Sequence, residues 1–204
     1  MKITRTSWLR TVLYSCTFVA TTYSVASTTG GNQQIVNKQP STIAVQQTSD
    51  WQQWRKVGEA QLSILFFDIY QSKLLSPTGI YQQQSLDVTP HPLALSIEYQ
   101  RNITQAQLLD VTYEQWIKLG YREQDAKRWI KQLSVIFPDI KSGQKLTYVT
   151  DGVAGKFVFS PLPHQTRHIG TISDEKLNDA FLSIWLSPKT EYAQLRRQLI
   201  GMKR

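Results

Sequence analysis

The chain has 204 residues, a length that suits one ordinary domain, and its aromatic and aliphatic content is high enough to exclude global disorder. Its formal charge is +8; subtracting Lys2, Arg5 and Arg10, which lie in a segment expected to be removed, leaves +5. That excess favours encounters with anionic surfaces, including a membrane surface. It does not make a nucleic-acid binder, because the longest basic grouping after residue 26 is Arg196-Arg197 with Lys203-Arg204 at the far end.

The first 26 residues have the pattern of a secretory signal peptide: a cationic start, the apolar-leaning run Thr11 to Ala20, and Ser24-Val25-Ala26 before Ser27 as a small-x-small cleavage site. The apolar run is shorter than the ~20 residues of a spanning helix. Export to the periplasm with cleavage is therefore expected. The lone cysteine, Cys16, lies in this segment, and Leu13-Tyr14-Ser15-Cys16 fits a lipoprotein cleavage box poorly because of Tyr14. Once Cys16 is removed, the chain has no thiol for a disulfide or for cysteine chemistry. Residues 27–50 are rich in Ser, Thr, Gln and Asn, a composition that offsets little of its ordering entropy, and read as a flexible linker. The domain then occupies 51–204.

Within the domain, Gln61 to Tyr70 reads as one dense β-prone run. Pro77 and Gly79 mark a turn, and Tyr81 starts a short strand. Leu93, Leu95, Ile97 and Tyr99 alternate with Ala94, Ser96, Glu98 and Gln100 as a half-buried strand. Thr104 to Gln107 has the form of a capping box, opening a helix with Leu108, Thr112, Trp116 and Leu119 on one face and an end near Gly120. A second helix carries Ala126, Trp129, Ile130, Leu133, Ile136 and Phe137 as a core-facing stripe and stops at Pro138. Lys145 to Val149 and Lys156 to Phe159 are strands about the turn Asp151 to Gly155, and His168 to Ile172 is a further strand. Asp174 caps a third helix with Leu177, Ala180, Phe181, Ile184 and Trp185 on its apolar face; Pro188 ends it, and Thr190 to Leu199 is the last helix. This segregation of strands and helices predicts an α+β fold, a large antiparallel sheet with helices packed on one face.

Chemistry is sparse. His164-Gln-Thr-Arg-His168 has the spacing of two ligands but lacks the Glu of a zinc-protease helix, and Pro161 and Pro163 place it in a loop, so no metal site is assigned. Serine-nucleophile elbows, dinucleotide-binding glycine runs and phosphate loops are absent from the sequence, and no cofactor is expected. Glu59, Asp68 and Glu98 could meet across strands, although each is ordinarily a solvent-facing strand position. Trp51 and Trp54 could form a ligand platform or a packed lid.

Several strings in order resemble the bacterial chalcone-isomerase-like family. They are Val57-Gly58-Glu59-Ala60, Phe67-Asp68-Ile69-Tyr70 leading to Leu74, and Leu95-x-x-x-Tyr99-x-Arg101-x-Ile103. Trp129 with Phe137 to Gly143 continues the series, and Ala180 to Thr190 followed by Leu195-Arg196 and Leu199-Ile200-Gly201 completes it across residues 55–201. Two departures are the polar Gln71-Ser72-Lys73 and a loop, Ser160 to Gln165, that looks inserted. The resemblance implies an open-faced β-sandwich with a cleft between sheet and helices. In the plant enzymes of that fold, an Arg, a Thr, a Tyr and an Asn polarise a ketone as a ring closes. Here the Val57 start carries no Arg, Tyr70 stands at the Thr position, and Leu108 and Gln115 stand at the Tyr and Asn positions, so no catalytic residues are assigned. The resemblance then implies a non-catalytic binder of a fatty acid or other apolar small molecule, with Tyr70, Tyr99 and Arg101 as candidate anchors. Two other readings stand beside it. One is an isomerase or intramolecular lyase in which Tyr70 replaces the missing groups. The other is a structural partner of an unknown envelope protein, recognised through Trp51, Trp54 or the basic C-terminal helix.

Overall fold

The computed structural model describes residues 51–64, 66–84 and 87–202. The signal peptide, Cys16 and the linker lie outside the described residues.

A 3₁₀ turn, Trp51–Gln53, leads into six strands: β1 Arg55–Ile64, β2 Phe67–Ser76, β3 Leu93–Tyr99, β4 Lys145–Thr150, β5 Gly155–Leu162 and β6 Gln165–Ile172. They form one antiparallel sheet in the order β1-β2-β3-β4-β5-β6. Four helices accompany it: α1 Gln105–Leu119, α2 Glu123–Leu133, α3 Glu175–Leu186 and α4 Ala193–Leu199. This is the expected α+β open-faced sandwich. Among the described residues no helix is long and apolar enough to cross a membrane.

Register sets the buried face. Leu74, Leu95, Tyr148 and Phe157 align across β2 to β5, and the next row joins Ser72, Ile97, Leu146 and Phe159. All of these are buried. Phe181 of α3 sits over them, its ring 4.8 Å from Tyr148, 5.0 Å from Phe157 and 5.3 Å from Trp185. These tilted and edge-on contacts suit the quadrupoles of aromatic rings. From Leu177 to Leu186 every α3 residue except Asp179 is buried, more than the single apolar face predicts. The reason is that α1 packs against α3 as well: the Trp116 indole donates to the Ala180 carbonyl oxygen over 2.7 Å.

Helix ends follow the sequence signals with two exceptions, the first being that the last helix, expected from Thr190, begins at Ala193. Thr104 and Gln107 form the reciprocal capping box, and Gly120 closes α1 in the left-handed conformation that glycine adopts without strain. The Asp174 carboxylate accepts from the N–H groups of Lys176 and Leu177 at the start of α3. The second helix, however, stops at Leu133, before Ile136 and Phe137. A tertiary partner permits the early stop, because the Gln105 side-chain amide donates to the Ser134 and Phe137 carbonyl oxygens.

Three strand expectations need correction. The run Gln61 to Tyr70 is a hairpin: β1 ends at Ile64 and β2 begins at Phe67. A continuous apolar run does not reveal a turn inside it when no Gly or Pro marks the place. Tyr81 starts no strand; the described residues of that region hold only an isolated bridge between Gln84 and Asp87. Ser160 to Gln165 is not all loop: it is the end of β5, a tight turn and the start of β6, with His164 at φ 64°. On the other edge, α4 lies against β1, and Gly58 allows this approach. A Cβ there would collide with the Gln198 carbonyl oxygen.

Candidate ligand site

Antiparallel pairing of β2 with β3 sets Tyr70 directly opposite Tyr99 on the helix-facing side of the sheet. Both are buried, and their rings meet edge to face with centroids 6.0 Å apart. From α3, the Trp185 indole N–H donates to the Tyr70 hydroxyl oxygen over 2.9 Å. The Tyr70 hydroxyl thus accepts, and its own proton meets no acceptor among the described residues. The Tyr99 hydroxyl likewise makes no hydrogen bond to a described residue. Burial pushes both phenols well above their ordinary value of 10.0; at Tyr70 the Trp185 N–H opposes that shift, and Tyr99 and Tyr192 reinforce it. The pair therefore stays neutral at physiological pH. It offers two O–H donors in apolar surroundings and no base.

The structure brings Tyr70 and Tyr99 together and sets Arg101 apart from them. Arg101 lies in the bend beyond β3, exposed, with its guanidinium over the Phe67 ring at 4.9 Å. Arg196 donates to the Leu186 carbonyl oxygen over 2.6 Å and to Gln83. The polar groups of α1 are engaged elsewhere. Thr112 donates to the Leu108 carbonyl oxygen over 2.7 Å, and Gln115 donates to the Glu191 carboxylate over 3.0 Å. Lys118 joins the same carboxylate at 2.9 Å. The hydrogen bond from Gln115, then that from Lys118, lowers the Glu191 pKa. No arginine converges on the tyrosine pair among the contacts of the described residues.

Trp185 is the hydrogen-bonding neighbour of Tyr70 that the sequence showed only as core. A signal was present: a tryptophan on a buried helix face needs an acceptor for its N–H, and a buried tyrosine supplies one. The polar knot of Asn178 was also missed. Its Oδ1 accepts from the Tyr148 hydroxyl over 2.8 Å, and its amide donates to Thr89 and to the Gly152 carbonyl oxygen. Thr89 donates to Asp179, so this knot ties the segment before β3 to α3. Burial raises the Asp179 pKa, while the hydrogen bond from Thr89 opposes that shift.

A groove of about 420 Å³ is lined by Leu119, Tyr121 and Trp129, by Asp179 and Ser183 of α3 and by Val88 before β3, and neither Tyr70 nor Tyr99 lines it. Its charges are mixed: Asp125 and Asp179 face Lys176 and Lys189, and Asp125 is bridged by Arg122 and Arg128. The other candidates are dispersed. Glu59 pairs with Lys56 and Glu98 with Lys145, and Asp68 accepts from Ser63. His164 sits in the β5–β6 turn, and His168 on β6 shares a hydrogen bond with Thr171. No group of three His, Cys, Asp or Glu side chains suited to a metal occurs among the described residues. Trp51 and Trp54, joined by the Trp54 N–H to Trp51 carbonyl bond, are each half-buried.

A six-stranded antiparallel sheet, helices on one face only, and a pair of phenols enclosed between them define a protein of the open-faced sandwich class. Residues 33–201 match the family model described as chalcone isomerase-like, and the chain belongs to that family. It is also 29% identical over 150 residues to an uncharacterized protein of Haemophilus influenzae, covering 72% of this chain and 68% of the other.

Proposed function

We propose that this protein is an exported, non-catalytic binder of a fatty acid or similar amphipathic molecule, held between sheet and helices with an oxygen of its head group on Tyr70 and Tyr99. The observation that carries the reading is the pair of neutral phenols side by side under α3, neither of which donates its proton to a described residue; no buried side-chain oxygen among those residues lacks a partner, so the unbonded Tyr99 hydroxyl is open to solvent or a ligand. A carboxylate or carbonyl oxygen completes both hydrogen bonds, and a charged acceptor strengthens them at low dielectric. Apolar neighbours receive the rest of the molecule. Ring closure asks for more, namely donors converging on an enolate oxygen. Leu108 has none to give, and the Gln115 amide is engaged by Glu191.

Native mass spectrometry of the purified protein tests the reading. A co-purified lipid, or uptake of added oleate, is expected, and Tyr70→Phe with Tyr99→Phe should weaken uptake about tenfold or more. Persistent absence of any bound molecule in the intact protein would sink the proposal. One feature favours the isomerase as a second reading, because a neutral buried phenol can return a proton to an enolate. Chalcone turnover that vanishes in Tyr70→Phe would establish it. Export rests on the N-terminal pattern, and recovery of a chain beginning near Ser27 from a periplasmic extract is its test.

A further inference from the structure

Eight large apolar residues are exposed among the described ones, and four of them lie at one end of the sheet. Phe66 and Phe67 form the β1–β2 tip, and Leu162 forms the β5–β6 tip. Val135 follows α2, beside the start of α1, where Gln105 holds the Ser134 carbonyl oxygen. Phe66 is 99% exposed and Val135 84%, the two highest values of the eight. The two hairpin tips are four strand spacings apart, about 20 Å. They are separate protrusions, not a continuous patch.

The same end carries an excess of cations. Arg101, Lys131, Lys141 and Arg167 are exposed there, and none of them takes part in a salt bridge among the described residues. Of the acids at this end, Glu98 is in an ion pair, with Lys145 at 3.0 Å; Asp68 and Asp139 accept from neutral donors, Ser63 at 2.6 Å and the Gln105 N–H at 2.7 Å, and keep their charge, so the four cations outnumber these two anions. Arg101 and Arg167 also cover the rings of Phe67 and Phe159, which leaves guanidinium N–H groups turned to other partners.

We infer that this end of the sheet docks on an anionic lipid surface, with Phe66 and Leu162 entering the interface and the four cations meeting lipid phosphates. Isolated apolar tips flanked by cations suit a bilayer, where shallow insertion of apolar side chains adds to attraction for anionic head groups. A protein partner instead asks for a contiguous packed core, which separated tips do not present. The inference stands apart from the ligand proposal, since Tyr70 and Tyr99 play no part in it.

The test is co-sedimentation of the full chain with phosphatidylcholine vesicles, with and without phosphatidylglycerol. Binding is expected only with phosphatidylglycerol and should weaken as salt rises. The pair Phe66→Ser and Leu162→Ser should reduce binding about tenfold or more. Arg101→Gln and Lys141→Gln should each reduce it roughly fivefold. Ile80→Ser and Val153→Ser, at the opposite end, should leave it unchanged. A dye on Phe66→Cys in a Cys16→Ser background should brighten on anionic vesicles, a readout that needs no loss of binding. Equal binding to neutral vesicles, no binding at all, or full binding by the double variant would overturn the inference. Attachment through residues 1–50 gives that last outcome, because every variant retains them. A dimer in gel filtration that Phe66→Ser dissolves would assign the surface to a second copy of the chain and overturn it too.

Discussion

The Trp185 indole and the Tyr70 hydroxyl, 2.9 Å apart, join the centre of the helical layer to β2 through one buried hydrogen bond. Deleting either partner leaves the other in an apolar setting. Trp185→Phe and Tyr70→Phe should each lower unfolding free energy by about 1–3 kcal/mol. The double variant should fall short of the sum, with a coupling near 1 kcal/mol in a urea-denaturation cycle. Additive losses would mean that the bond contributes nothing to stability.

Phe181 meets four aromatic rings, from Phe137, Tyr148, Phe157 and Trp185. Phe181→Ala should cost about 3–5 kcal/mol, because the surrounding rings cannot collapse into the space. Thermal unfolding followed by circular dichroism measures this. A loss similar to that of an exposed control, Val153→Ala, would contradict the packing described.

Gly58→Ala places a methyl against the Gln198 carbonyl oxygen at the closest contact of α4 with β1. We expect α4 to be displaced and the protein destabilised by about 1–3 kcal/mol. Hydrogen exchange should localise the change, with amides of Ala193 to Leu199 losing protection before those of β3 and β4. Unaltered protection in that segment counts against the contact.

Asp179 carries a pKa raised by burial, so the folded state holds its proton to higher pH than the unfolded state does. Stability is therefore lost as pH rises from the ordinary value of 3.8 through the raised folded value, and the penalty is complete above it. Asp179→Asn keeps an oxygen for Thr89 and removes the charge. Its melting temperature should exceed that of the parent at neutral pH, and the gap should close on acidification. A gap independent of pH would assign the effect to something other than this carboxylate.

The sequence by itself determined the elements whose signals are local. The capping box at Thr104, the αL stop at Gly120, the Asp174 cap and the alternation of Leu93 to Tyr99 depend only on nearby backbone geometry and the period of side chains. The segregated order of strands and helices carried the α+β class with helices on one face, and the family resemblance implied the open-faced sandwich. Tyr70 and Tyr99 were nameable as candidates from the family strings alone. Their pairing was decided by the β2–β3 register. Tertiary structure also joined Tyr70 to Trp185, 115 residues away, and turned Arg101 onto Phe67. It ended the second helix early because Gln105 could take up the freed carbonyls. Local periodicity reports which face of an element is apolar, whereas the hydrogen-bond partner of a buried polar atom depends on which distant surface is pressed against it.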